Sequence, residues 1–176
     1  TINIANEGAY NLYLRYAGAD AGTKIYFSLD NNDITGIITI PSTGGWQTWE
    51  TDTFKNIILP SGTHRLRLHF VEKGCNINYF GFDYSKPANQ VPFNILSAST
   101  TKDGKQILLN ANKQFNNTIN PGADDWIIKS NNIVLDINSI TYINDKQLTI
   151  NLSKTILYGE KIVLSYNGTN IKDINN

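Results

Sequence analysis

The stretch PSTGGWQTWETDTF, residues 41–54, places two tryptophans three positions apart, directly after a Gly-Gly pair. A flat indole beside glycines can stack on the apolar C–H face of a pyranose ring, and placed polar neighbours can bind the hydroxyls. Successive side chains of a strand face opposite ways, so positions 46 and 49 cannot both face one core. Thr48, Glu50 and Asp52 are polar or charged, which predicts that their face is wet and that Trp49 is the core residue. Trp46 then belongs to the wet side or to the loop before the strand. Two readings stay open for it. It caps the end of the core, as tryptophan usually does, or it is a stacking platform at a loop tip cleared by Gly44 and Gly45.

Other chemistry-bearing residues are sparse. Asp124 and Asp125, before Trp126, form the densest acidic spot. Glycoside hydrolysis needs two carboxyl groups about 5 to 9 Å apart across a sugar, one with a raised pKa; adjacent loop acids are expected to make a turn and face water. Trp126 reads as a lid on a core. His64 and His69 are the only histidines, and they alternate with core residues beside Arg65 and Arg67. That is the solvated face of a strand, not the oriented histidine of a Ser-His-acid triad. Cys75 is the only cysteine, so neither an intrachain disulfide nor a cysteine zinc site can form. It is expected to be a small buried thiol. No glycine-rich phosphate loop is present, and catalysis is not expected.

The elements that must hold these residues are strands. Leu12, Leu14 and Tyr16 alternate with Asn11, Tyr13 and Arg15; Ile25, Phe27 and Leu29 alternate with Tyr26, Ser28 and Asp30; Leu66, Leu68 and Phe70 alternate with Arg65, Arg67 and His69. Period-two alternation predicts strands with one buried face. The turn signals AGADAG, DNND, PSTGG, PSG and EKG separate them, and no amphipathic helix is evident. The prediction is an all-β chain of two β-sandwich domains. Pro87 and Pro92 bracket a polar stretch. This gives a first domain over residues 1–86, a linker over 87–92 and a second domain over 93–176. Lys+Arg and Asp+Glu both number 15, so no excess charge draws the chain to nucleic acid or an anionic membrane. No apolar run approaches the roughly 18 residues of a membrane span, and TINIANEGAY is not a signal peptide.

The blocks LYLRYAG, PSTGGWQTW, LPSGTHRLRL and CNINYFGFDY, in this order and spacing, resemble the family 6 carbohydrate-binding modules over residues 1 to 84. The related family 35 modules share parts of the pattern. The resemblance implies a jelly-roll-like, non-catalytic module that binds a polysaccharide of β-glucan or xylan type in a cleft formed by loops. In that cleft Trp46 would stack on a sugar and Asn76 would hydrogen-bond it, with Asn78 a weaker candidate. Some members also bind glycans on a sheet face, where Tyr13 and Tyr26 would serve; ordinary cross-strand packing explains both equally. The family pattern has further strands before the point that matches Thr1, which implies an N-terminally incomplete module. The resemblance also implies a structural calcium ion with Asp83 as one ligand; by position alone Asp83 reads as a solvated strand-end acid.

The second half, from DGKQILLNANKQFN to EKIVLSYNGTNIKD, looks like a bacterial immunoglobulin-like repeat, here a spacer or a stabilising neighbour. Together the two imply part of a secreted protein in which the module targets a tethered glycoside hydrolase to its substrate. A structural or adhesive pair of β-sandwiches on an extracellular protein is the alternative.

Overall fold

The computed structural model describes residues 1–174, which form two compact units meeting between Pro92 and Phe93. The first contains β1 (Ile2–Ile4), β2 (Gly8–Ala17), β3 (Thr23–Leu29), β4 (Asn32–Asp33), β5 (Ile38–Ile40), β6 (Glu50–Leu59), β7 (Gly62–His64), β8 (Leu66–Glu72) and β9 (Asn76–Lys86). One sheet runs β6-β2-β9; in the other, β3 pairs with β4, β5 and β8, and all these pairings are antiparallel. A two-stranded β1–β7 ribbon completes the unit.

The expected alternation builds the core. Leu12, Leu14 and Tyr16 of β2 meet Ile25, Phe27 and Leu29 of β3, and the buried cluster includes Ile38, Ile40, Ile57 and Leu59. Phe80 and Phe82 set their edges against Phe27, at centroid distances of 5.0 and 6.1 Å. Residues 87–92, read above as a linker, contain a single 3₁₀ turn, and Val91 is buried against Ala9 and Ile58.

β6 corrects one expectation. Asp52 and Phe54 lie on the core side of the strand, and Trp49, Thr51 and Thr53 lie outside. The reason is a partner that alternation cannot show: the buried Tyr16 hydroxyl donates to Asp52 Oδ2 at 2.6 Å, drawing that carboxylate inward. Burial and the Asp52 carboxylate together push the Tyr16 phenol well above its usual range. A bulge follows between the Phe54 and Ile57 pairings, with Asn56 left-handed at φ 64°. The extra residue resets the phase, so Ile57 and Leu59 also point into the core.

The β3–β4 turn is fixed by Asp30 and Asn31, both left-handed, as a tight hairpin requires. Asp30 accepts Arg65 N–H at 2.8 Å through Oδ1 and meets His64 Nδ1 at 2.7 Å through Oδ2. The Arg65 amide, then His64, lowers the Asp30 pKa below its ordinary 3.8; Asp30, then the Ser61 carbonyl, raises the His64 pKa above its ordinary 6.5. The histidine contribution is therefore complete below pH 6.5 and lost as pH rises through the raised value. The aspartate contribution is present above pH 3.8 and lost as pH falls through the lowered value. The first unit is expected to melt highest between these limits. In a melting series against pH, Asp30→Asn should flatten the loss on the alkaline side; an unchanged slope would show that this pair is not responsible.

The second unit contains β10 (Ile95–Thr100), β11 (Gln106–Ala111), β12 (Trp126–Ser130), β13 (Ile133–Leu135), β14 (Ile137–Asn144), β15 (Gln147–Leu152) and β16 (Ile162–Tyr166). Its sheets run β10-β11-β15-β14 and β13-β12-β16. Ile107, Leu109, Leu148 and Ile150 of the first pack with Trp126 and Ile128 of the second, so Trp126 is a core residue. Asp124 and Asp125 lie in a 3₁₀ turn leading into β12. Lys113 and Asp173 form a buried ion pair at 3.0 Å. The described residues are all-β apart from two short 3₁₀ turns.

Candidate carbohydrate-binding site

Two loops and the head of β9 converge at one end of the first unit. The 42–48 loop carries Trp46, whose side chain is 49% exposed. A knot of hydroxyls holds this loop. The buried Thr43 Oγ1 accepts Gly18 N–H at 3.0 Å and lies 3.2 Å from the Gly45 carbonyl, to which it can donate. Thr43 N–H donates to Gly18 O, and Ser42 Oγ donates to Ala19 O at 2.6 Å. Gly44 adopts φ +86°, and a Cβ there would meet nothing within 4 Å, so this part of the loop is open. Short polar side chains thus replace a hydrophobic anchor, and the tryptophan is left for solvent.

Asn76 begins β9, opposite Ala17. Its Nδ2 donates to the main-chain carbonyl of Trp46 at 2.7 Å. The structure therefore brings together Trp46 and Asn76, which are 30 positions apart in sequence. That hydrogen bond engages Nδ2 and leaves Asn76 Oδ1 able to accept another. Cys75, expected to be buried, is half-buried against the core, and that burial raises its thiol pKa. Asn78 is exposed and falls where the β2–β9 register slips.

Trp49, expected in the core, is half-buried on the outer side of β6, with the Arg15 guanidinium 6.0 Å from its ring centroid. Sequence reasoning missed Arg15, whose only signal was its outward parity on β2. Tyr13 and Tyr26 lie on the outer sides of different sheets and share no surface. Tyr26 stacks flat on His69 at 4.2 Å, and His69 Nε2 contacts Ser28 Oγ at 2.7 Å. Asp83 is exposed on β9, opposite Asn11. Among the described residues no three His, Cys, Asp or Glu side chains converge.

Thr43→Val keeps the shape and removes the hydroxyl. It should destabilise the first unit by about 1 to 3 kcal/mol by orphaning the Gly18 N–H. Trp46 emission should shift as its loop loosens; an unchanged melt and spectrum would show that backbone bonds alone hold the loop.

Residues 1–84 match the family model described as carbohydrate binding module (family 6). The clotting factor G alpha subunit of Tachypleus tridentatus is 34% identical over 79 residues, which is 44% of this chain and 12% of that protein. Among solved structures, the module CBM6cm-2 from Cellvibrio mixtus lichenase 5A, in complex with cellotriose, is 30% identical with TM-score 0.44, covering 48% of this chain and 64% of that one. The C-terminal family 6 module of LamC, a marine laminarinase from Zobellia galactanivorans, is 31% identical with TM-score 0.42, covering 45% and 64%. A family 35 module from Paenibacillus barcinonensis is 23% identical with TM-score 0.43, covering 48% and 66%. The chain thus spans less than two thirds of each of these relatives.

Proposed function

From the match of residues 1–84 to the family 6 carbohydrate binding modules, we propose that the first unit is a non-catalytic polysaccharide-binding module with Trp46 as its sugar platform. One observation carries the reading: a half-exposed indole stands on a loop tied down by hydroxyls, and the Asn76 amide is fixed to its backbone. That combination of aromatic face and oriented amide suits a pyranose ring, whose faces are apolar and whose rim is polar. Glucan and xylan chains of β type present such faces in succession. With zero net charge, affinity for a neutral chain rests on stacking and hydrogen bonds rather than on attraction at a distance.

The wider role is targeting outside the cell. A module of this kind, joined to a glycoside hydrolase, raises the local concentration of substrate around the catalytic domain. The second unit serves as spacer. Among the described residues no helix is long and apolar enough to cross a membrane.

Affinity electrophoresis of the full chain through gels containing β-glucan, xylan, laminarin or agarose tests the proposal. Retardation in at least one gel, relieved by soluble oligosaccharide and by replacing Trp46, is the expected result. A folded chain that migrates freely through all four would favour the structural or adhesive pair instead.

A further inference from the structure

The outer face of the β6-β2-β9 sheet carries groups that the Trp46 platform does not use. Arg15, on the central strand, pairs with Thr51 on one side and Tyr79 on the other, so the three side chains stand in one row across the sheet. The Arg15 guanidinium lies over Trp49 and donates from Nη1 to Thr51 Oγ1 at 3.2 Å. No carboxylate lies within 4 Å of it: the ion pairs among the described residues join Lys24 to Glu72, His64 to Asp30 and Lys113 to Asp173, and Asp83, the acid of this face, stands two rows away opposite Asn11. A half-buried guanidinium bonded only to a neutral hydroxyl keeps most of its five N–H donors, in a fixed fork that matches a carboxylate or a sulfate.

Beside that cation is an aromatic surface with room over it. Tyr79 is 50% exposed. The next row holds Thr53, Tyr13 and Gly81, and a Cβ built on Gly81 would meet nothing within 4 Å. The outer row of β9 therefore has a notch next to Tyr79, walled by Tyr13. A forked cation, an exposed ring and a side-chain-free gap along one face form an arrangement for an anionic sugar.

We propose that this face is a second glycan subsite, selective for sugar residues bearing an anionic group, with Arg15 pairing the carboxylate or sulfate and Tyr79 stacking on the ring. The proposal rests on the reading that the first unit binds glycans, but it uses no residue of the Trp46 loop. Under it the module distinguishes acidic from neutral stretches of a polysaccharide.

Calorimetric titration of the full chain with a galacturonate tetrasaccharide, a sulfated galactan tetrasaccharide and neutral cellotetraose separates the two sites. At least one acidic probe is expected to bind, more tightly at low salt, and which one does identifies the anion. Its affinity should fall at least tenfold in Arg15→Gln and in Tyr79→Ala, and should persist in Trp46→Ala. Tyr79 is exposed enough that its variant should fold even where Arg15→Gln does not. The proposal is overturned when the folded chain binds neither acidic probe, when the folded Tyr79 and Arg15 variants bind it undiminished, or when Trp46→Ala alone abolishes it. Loss of the cellotetraose signal with acidic binding intact would count against the Trp46 platform and leave this subsite standing.

Discussion

Trp46→Ala is expected to weaken glycan binding by about 30- to 100-fold while leaving the first unit folded. The estimate follows from burial: covering a large aromatic side chain is worth about 2 to 3 kcal/mol, and each 1.4 kcal/mol is about tenfold in affinity. The fold should survive because the indole is half in water already and packs in no core cluster. The loop should keep its place as well. The Asn76 amide bonds the main-chain carbonyl at position 46, which alanine also provides, and Thr43 and Ser42 anchor the preceding residues. Calorimetry with the polysaccharide or oligosaccharide that retards the chain provides the measurement, with circular dichroism as the check on folding. A folded variant that binds as well as the parent would remove Trp46 from the site.

The second large effect is expected in the other unit. Gly104→Ala should destabilise it by about 3 kcal/mol. Gly104 is buried in the turn before β11 with φ +67°, and a Cβ there would collide with the Ile156 carbonyl oxygen. Left-handed geometry costs an alanine about 1 to 2 kcal/mol. Relieving the collision would also stretch the Ile156 N–H bond to Gly104 O, now 2.8 Å, for about 1 kcal/mol more. At about 4 to 8 °C per kcal/mol for a domain of this size, the second unit should melt more than about 10 °C lower. Each unit has its own core, so the melt of the first should not move. Gly159→Ala is the control: φ is +86° but nothing lies within 4 Å, so only the backbone penalty applies. Equal effects from the two substitutions would show that the collision is relieved elsewhere.

Strands were legible where alternation was the only force acting. The run LYLRYA on β2 has the predicted inner row, and Leu66 and Leu68 of β8 pack against the core as predicted, because apolar and polar side chains sort by burial; Phe70, expected in the same row, is 48% exposed toward the end of the strand. The reading of β6 went wrong where a polar residue had a private reason to turn inward. Asp52 looks wet by type, but the Tyr16 hydroxyl holds it, and the two are 36 positions apart. Trp49 was misplaced with it. At the candidate site, residue type was enough to single out Trp46 and the family resemblance to single out Asn76. The bond between them, and the Thr43 knot to Gly18, join segments 30 and 25 positions apart and leave no trace in local pattern. Arg15 was passed over for the opposite reason: an outward arginine on a strand is ordinary, and only the aromatic neighbours and missing counter-charge distinguish it.

The bulge at Asn56 has a consequence for how this sequence can vary over generations. It works as a phase changer, splicing a segment that buries even-numbered residues to one that buries Ile57 and Leu59. Point substitutions at Asn56 itself should be absorbed, most easily by glycine, because only the backbone angle matters there. A codon-sized deletion there removes the extra residue itself, so Phe54 stays opposite Leu12, Ile57 stays opposite Tyr10, and both rows keep their sides. The same event at Ile58 has no extra residue to remove and turns Leu59 from the inner row to the outer one. In a library of single-codon deletions Asn56 is therefore expected to stand out as the tolerant position of β6.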